Sequence, residues 1–432
     1  MTPAAPYAGW VPRSTLGPPR PNLPRSPRRT PLLAPAVLVA VLVGLALAAC
    51  TQAPAAGPAR TSTTGIAASV TSTATPSPST STFVPRTVTV VMTGDVLLHN
   101  TVVWQAQRDA AATAAKEPHG LTFGPIFADQ KAAVSAADLA ICQLETPFAP
   151  PGGPYTSYPV FQVPQDVLGT LKDIGYDACT SASNHSLDGG FAAIVRTADA
   201  LDAYGLAHTG TFRTAAEAAT PLVIDAGGVK VGLINFAYGT NGIPVPEGKP
   251  WAINLIDIPA MLKAAHAAKA AGADIVLAAV HAGDEYGRLP SEEQKQVAEA
   301  LTASPDVDLV YGHHVHVVQP FDRVNGKWVA YGLGNTVADQ AQAGKREYTR
   351  GEAMARFTFT ETAPGRFEVS LAEVLPGAMG FQPPIRYVDL GRVLADPDVS
   401  AGLKSRYTTV RADVIKAVGM LGAFDKGLTI GK

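Results

Sequence analysis

Between residues 87 and 311 the chain alternates short apolar runs with amphipathic segments, and this rhythm restricts the folds open to it. The spacing predicts strands over 87–92, 138–142, 230–236, 275–280 and 307–311, with another starting at Asp177. It predicts helices over 127–137, 163–171, 189–204, 259–271 and 291–303. Gly175, Gly205 and Gly272 close three of these helices. Glu292 and Glu293 fall in the first turn of another, where the helix dipole favours negative charge. Residues 221–225 and 230–236 pair across Gly227-Gly228 as a hairpin. Strand-helix alternation of this kind gives an α/β domain whose sheet is covered by helices. After Asn335 the pattern changes. Residues 351–360 and 366–371 alternate around Pro364-Gly365 and read as a hairpin added to a sheet edge. Residues 399–421 read as a helix, and no internal repeat is visible.

The predicted strands end in polar residues. Gly94-Asp95, Leu144-Glu145, Asn184-His185, His281 and Gly312-His313-His314-Val315-His316 all lie just past, or at, the carboxyl end of an apolar run. Sites in α/β folds gather at that edge. Taken singly, each residue has an ordinary role. Asp95 could cap a helix, Glu145 could sit in a surface turn, Asn184 could take a left-handed turn conformation, and His281 could be a satisfied buried histidine. His314 and His316 form the one pair that suggests a metal by itself. Together the five loops can meet at one point and supply carboxylate, amide oxygen and imidazole, which suit Mn, Zn or Fe. A carboxylate bridging two ions roughly 3.5–4 Å apart is the two-metal hydrolytic arrangement. On this reading Asp95, Glu145, Asn184, His281, His314 and His316 are the ligands, with Glu145 as the bridge. His185, turned away from the ion beside Asn184, is the general acid. His313 should alternate away from the pair and stand beside the site as a neighbour. His99, His119, His208 and His266 are read as incidental.

The amino-terminal residues are of another kind. Arg13, Arg20, Arg25, Arg28 and Arg29 precede an apolar run over 32–49, and there is no acidic residue before Asp95. A basic segment followed by a short apolar one is an export signal, and the run is shorter than the roughly 20 residues of a membrane span. It ends Leu47-Ala48-Ala49-Cys50, a close match to a bacterial lipobox. We therefore expect a signal peptide over 1–49, lipid on Cys50, a Ser/Thr/Pro-rich disordered tether over 50–85, a main domain over 86–390 and a helical tail over 391–432. Loss of the leader leaves 29 basic against 36 acidic residues, an excess of about seven negative charges, which argues against a nucleic-acid partner. Cys142 and Cys179 lie in strand-like runs. A bridge is open to them in an exported chain, but two buried thiols packing as small hydrophobes is the expectation.

The ordered set Thr93-Gly94-Asp95-Val96-Leu97-Leu98, Leu144-Glu145-Thr146-Pro147, Ala182-Ser183-Asn184-His185-Ser186-Leu187-Asp188, His281-Ala282-Gly283-Asp284-Glu285-Tyr286, His313-His314-Val315-His316-Val317-Val318-Gln319-Pro320 and Gly332-Leu333-Gly334-Asn335 resembles the CapA family. These are capsule-synthesis proteins linked to poly-γ-glutamate, with a fold similar to the calcineurin-like metallophosphatases. The resemblance implies a two-sheet α/β sandwich flanked by helices, the four-layer αββα arrangement. It carries the six ligands and His185 over to this chain, for one or two divalent ions. It adds Asp188, Glu285 and Asn335, with His313 beside them, as supporting or substrate-contacting residues. Two departures stand out. Metallophosphatases place a His where this chain has Leu97, and the family favours Asn and Pro where this chain has Gln143 and Val315.

Three functions follow as expectations. The first is a lipid-anchored metal-dependent hydrolase-like protein that acts on or handles an anionic polymer such as poly-γ-glutamate, within a capsule-synthesis membrane complex. The second is a non-catalytic export or tethering subunit that binds the polymer. The third is an extracytoplasmic phosphoesterase or nucleotidase.

Overall fold

The computed structural model describes residues 83–113, 119–340, 347–381 and 383–431. The expected signal segment, Cys50 and most of the expected tether lie outside the described residues. The strands are β1 (Thr87–Val96), β2 (Leu139–Leu144), β3 (Ala178–Thr180), β4 (Ala207–Thr209), β5 (Leu222–Ala226), β6 (Val229–Ala237), β7 (Ile275–His281), β8 (Leu309–His313), β9 (Phe321–Val324), β10 (Lys327–Ala330), β11 (Asn335–Val337), β12 (Gly351–Ala363), β13 (Arg366–Met379), β14 (Tyr387–Asp389) and β15 (Leu428–Ile430).

They form two sheets. The first runs β14-β13-β12-β1-β2-β3-β4, with β11 also paired to β1 and β15 to β13. The second runs β5-β6-β7-β8-β10-β9. In the first sheet β1 to β4 are parallel neighbours. In the second, β6, β7, β8 and β10 are parallel. Their carboxyl ends therefore lie along one edge of each sheet.

Alternation along each strand divides its side chains between two cores. Val88, Val90 and Met92 of β1 face Ile275, Leu277 and Ala279 of β7 in the core between the sheets, together with Trp328, Phe357 and Phe359. Val91 faces outward, where the helices Val167–Ile174 and Gly190–Ala203 cover the first sheet through Leu168, Leu171 and Leu201. Val276, Ala278 and Val280 face the other way onto the helices Ile258–Ala270 and Glu292–Ala303. The result is a four-layer αββα sandwich. Strand β2 is buried along its whole length, because a parallel strand in the middle of such a sandwich is covered on both faces. Each of these large side chains stabilises the fold by about 1.5–3 kcal/mol when fully buried.

Several elements differ from the sequence reading. The helix expected over 127–137 is broken into Gly124–Phe127, a 3-10 turn Ala128–Gln130 and Lys131–Val134. The hairpin β12-β13 does not lie at an edge, because β12 pairs antiparallel with β1 over Thr87↔Thr360 to Met92↔Ala355 and so takes a central position. The segment from 391 onward carries the helix Ala401–Val418 and ends in β15, which pairs with β13. The expectation of free thiols is corrected. Cys142 and Cys179 are register partners on the parallel neighbours β2 and β3, with Cα atoms 4.5 Å apart, and form a buried disulfide.

Candidate metal centre

Asp95 is the penultimate residue of β1, flanked in register by Asn335 of β11 and Gln143 of β2. The close approach of β11 requires glycine just before it, since a Cβ on Gly94 would lie 2.2 Å from the Gly334 carbonyl oxygen. Glu145 follows β2, and Asn184 and His185 lie in the loop after β3. These come from the first sheet. The second sheet brings His281 at the end of β7 and His313 at the end of β8, in register with each other. Beyond β8 the chain turns sharply, with His314 at φ 88° and His316 at φ 59°. Left-handed backbone at two non-glycine residues costs energy and is concentrated at functional sites.

The structure brings Asp95, Glu145 and His316 together, with one potential donor atom from each within 4.8 Å of the others. His316 Nε2 is 3.6 Å from Glu145 Oε1, and its Nδ1 is 3.5 Å from Asp95 Oδ2. Asn335 fixes the tautomer. Its amide nitrogen donates to Gln340 Oε1 and the Thr349 carbonyl, so its oxygen accepts from His316 Nδ1 at 3.0 Å. In the neutral ring this leaves the Nε2 lone pair toward Glu145, the arrangement a metal ligand needs. His313 belongs to the cluster more closely than its expected place as a neighbour, with its Nδ1 3.0 Å from Asp95 Oδ1. The spacing is that of a hydrogen bond, but neither atom has a bonded partner. We read the contact as two groups facing a common point.

Asn184, His281 and His314 form an adjoining group. His281 Nε2 meets Asn184 Oδ1 at 2.8 Å, and Gln143 Nε2 approaches His281 Nδ1 at 3.3 Å. The His314 ring lies 5.0 Å from that of His281 and 4.5 Å from that of Tyr238. His185 is held by Asp188, whose Oδ2 lies 2.7 Å from Nδ1 and also accepts the Phe161 backbone N–H at 2.7 Å. Glu285 is exposed and lines the cavity that His185 and His316 share.

Charge is concentrated where water is excluded. Burial pushes Asp95 up, yet contacts with His313 and His316 hold it well below the usual carboxylate range. Burial raises Glu145 to about 7. Burial pulls His316 down, and the facing Glu145 and Asp95 more than offset this, raising it to about 9. Burial pulls His281 well below its ordinary value and His314 down to about 3. For His185 burial is outweighed by the Asp188 hydrogen bond and the Glu145 charge, so its pKa is raised.

The residues present fit a divalent cation. Both oxygens of Glu145, Asp95 Oδ1, both ring nitrogens of His313 and His314 Nδ1 are buried without a hydrogen-bond partner. An orphaned buried polar atom costs about 1–3 kcal/mol, and so many around one point indicate a missing common partner. Two carboxylates and an imidazole are the donors that Mn, Zn or Fe accept.

Sequence reasoning passed over three supporting residues. Asn235 of β6 accepts the backbone N–H groups of Ser181 (3.1 Å) and Ala182 (2.6 Å), tying the Asn184 loop to the opposite sheet. Glu352 of β12 accepts Gly94 N–H at 2.8 Å directly behind Asp95, and burial raises it to about 7. Ser183 Oγ donates to the Glu145 carbonyl. The first two could have been found as polar residues inside otherwise apolar strands.

Residues 89–340 match the family described as Bacterial capsule synthesis protein PGA_cap, more than half of the chain. The chain belongs to the PGA_cap family. The chain is also similar to curated relatives named for PGA or capsule biosynthesis. The PGA biosynthesis protein CapA of Bacillus subtilis is 28% identical over 49% of this chain and 55% of its own length. The capsule biosynthesis protein CapA of Bacillus anthracis is 28% identical over 41% of this chain and 43% of its own. A probable polyglutamine synthesis accessory protein of Mycobacterium tuberculosis is 27% identical over 56% and 66%. The chain thus spans between 43% and 66% of the length of these curated relatives. Among solved structures, a novel phosphatase from Mycoplasma pneumoniae is similar at TM-score 0.42 and 14% identity, covering 68% of this chain and 94% of that one. This PGA_cap chain has no helix among its described residues long and apolar enough to cross a membrane.

Proposed function

We propose that this PGA_cap protein is a metal-dependent phosphoester hydrolase. The observation that carries the proposal is the buried cluster of Asp95, Glu145 and His316, surrounded by polar atoms with no partner. These three residues would hold the ion, with Asn184, His281 and His314 beside them for a second. When bound, such an ion supplies Lewis-acid stabilisation of charge on the phosphoryl group. The chain's own residues do the rest. Asp188 takes the Nδ1–H of His185 and leaves Nε2 toward the cavity. A raised pKa keeps that imidazole protonated further into the neutral range, and it gives its proton to the ester oxygen as that P–O bond breaks, while a water oxygen forms the new bond to phosphorus and loses its proton to solvent. The test is elemental analysis of the soluble domain, followed by turnover of generic phosphomono- and phosphodiesters with Mn present. Wild-type turnover that His185→Ala abolishes, with metal retained, is the expected result. Full turnover by His185→Ala removes the general acid.

The names of the relatives favour a second reading, in which the site serves an anionic polymer such as poly-γ-glutamate. The protein would then hydrolyse the polymer or bind it within a capsule-synthesis membrane complex. Leu97 supports binding without turnover, since it withholds a ligand at a position where metallophosphatases place histidine. We further infer export, cleavage before Cys50 and a lipid anchor at that thiol. The buried Cys142–Cys179 disulfide supports an oxidising compartment. Release of a Cys50→Ser variant from the membrane fraction is the expected result. Equal membrane retention of variant and wild type removes the lipid anchor.

A further inference from the structure

The cavity beside the metal cluster, about 370 Å³, is lined by a further imidazole, that of His99, which is neither in the ligand set nor the general acid. Leu97, His99, Phe161, His185 and His316 line it. His99 leaves the end of β1 and is mostly buried. Its Nδ1 has two neighbours, the Leu97 carbonyl oxygen and the Asp339 backbone nitrogen, each at 3.2 Å. They make opposite demands on one ring nitrogen. The Asp339 N–H is an obligatory donor, whereas the Leu97 carbonyl already accepts the backbone N–H of His99 at 2.9 Å. Nδ1 therefore accepts, and the neutral ring carries its proton on Nε2. Burial favours that neutral form, drawing the pKa down to about 4.

Phe161 sets the orientation. It is fully buried and meets the rings of His99 and His185 edge-on, at 5.6 and 4.9 Å between centroids. Its backbone N–H binds the same Asp188 oxygen that holds His185. Two imidazoles thus flank one phenyl ring, each with its Nδ1 edge engaged by the protein and its Nε2 edge left to the shared cavity. They differ in chemistry. His185 can give up a proton, while His99 is a fixed neutral donor with its basic nitrogen blocked.

The geometry points to His99 as a substrate-binding residue whose Nε2–H donates to a non-bridging oxygen of a phosphoryl group seated against Asp95, Glu145 and His316. This inference rests on the phosphoester reading and names a further part of the same site. Leu97, on the same wall, contributes no side-chain polar atom, so His99 is the donor that the exit from β1 presents.

The experiment measures two quantities on metal-loaded protein: metal content, and the affinity for inorganic phosphate by calorimetry. Wild type should bind phosphate. His99→Phe, which keeps a ring against Phe161, should weaken binding about tenfold or more with metal content unchanged. His99→Gln, which restores an N–H donor, should stay within about threefold of wild type. Unchanged phosphate affinity in His99→Phe overturns the inference, as does an equal loss in both variants. Loss of metal in His99→Phe overturns it too, making His99 a ligand instead. A wild type that holds metal but ignores phosphate sinks the phosphoester reading itself, and this inference with it.

Discussion

Loading a cation onto Asp95, Glu145 and His316 requires protons to leave. Without metal, the facing Glu145 and Asp95 raise His316 and favour its protonated form, while burial raises Glu145 and favours its neutral form. Ligation needs imidazole neutral and carboxylate ionised. Metal binding at neutral pH should therefore release protons, strengthening as the pH rises and weakening as it falls. Calorimetry in two buffers of different ionisation enthalpy measures this directly, and the absence of proton release would rule out His316 as a ligand. Glu145→Gln keeps the shape but loses the charge. It should lower metal affinity by at least tenfold, read by elemental analysis after dialysis. Single residues were unevenly legible. Asp95, Glu145 and His316 stood out because each ends an apolar run. His313 did not, because strict alternation places it away from the pair, and only the turn forced by left-handed backbone at His314 brings His313 and His316 to the same Asp95.

The parallel strands β1, β2, β7 and β8 were legible as elements because each is a buried apolar run closed by a polar residue, whereas β4 and β10 were not read from the sequence. The central position of β12 was not. A strand alternating between two cores looks the same whether it lies at an edge or in the middle, and only pairing with β1 distinguishes them. Cys142 and Cys179 could not be paired from sequence, as their bond depends on the register between β2 and β3. They close a loop 37 residues long. Replacing both with alanine should lower stability by about 2–4 kcal/mol, measured by urea unfolding. A loss below about 0.5 kcal/mol would mean that the bond contributes little. Gly94→Ala should also be costly. Its Cβ would meet the Gly334 carbonyl at 2.2 Å, forcing β11 from β1 and Asn335 from His316, so metal content should fall along with stability.

Across the whole molecule, the two sheets divide the site between them. The first supplies Asp95, Glu145, Asn184 and Asn335, and the second His281, His313, His314 and His316. An ion that binds only the folded arrangement stabilises it by about 2.7 kcal/mol at a hundredfold excess over Kd. The thermal midpoint should rise by about 5 °C with Mn or Zn present and fall back with chelator. Asp95→Asn should show neither change, and an equal rise in that variant would place the stabilising ion elsewhere. The four-layer arrangement was legible only through the resemblance, because strand-helix alternation alone does not say whether the strands make one sheet or two. The division has a mechanical corollary. A cation held here acts as a rivet through two plates that otherwise grip by oily surfaces, and such surfaces resist separation better than sliding. The rivet locks the plates against that slide, so on warming the ion should stay in place and leave only as the plates part at the raised midpoint.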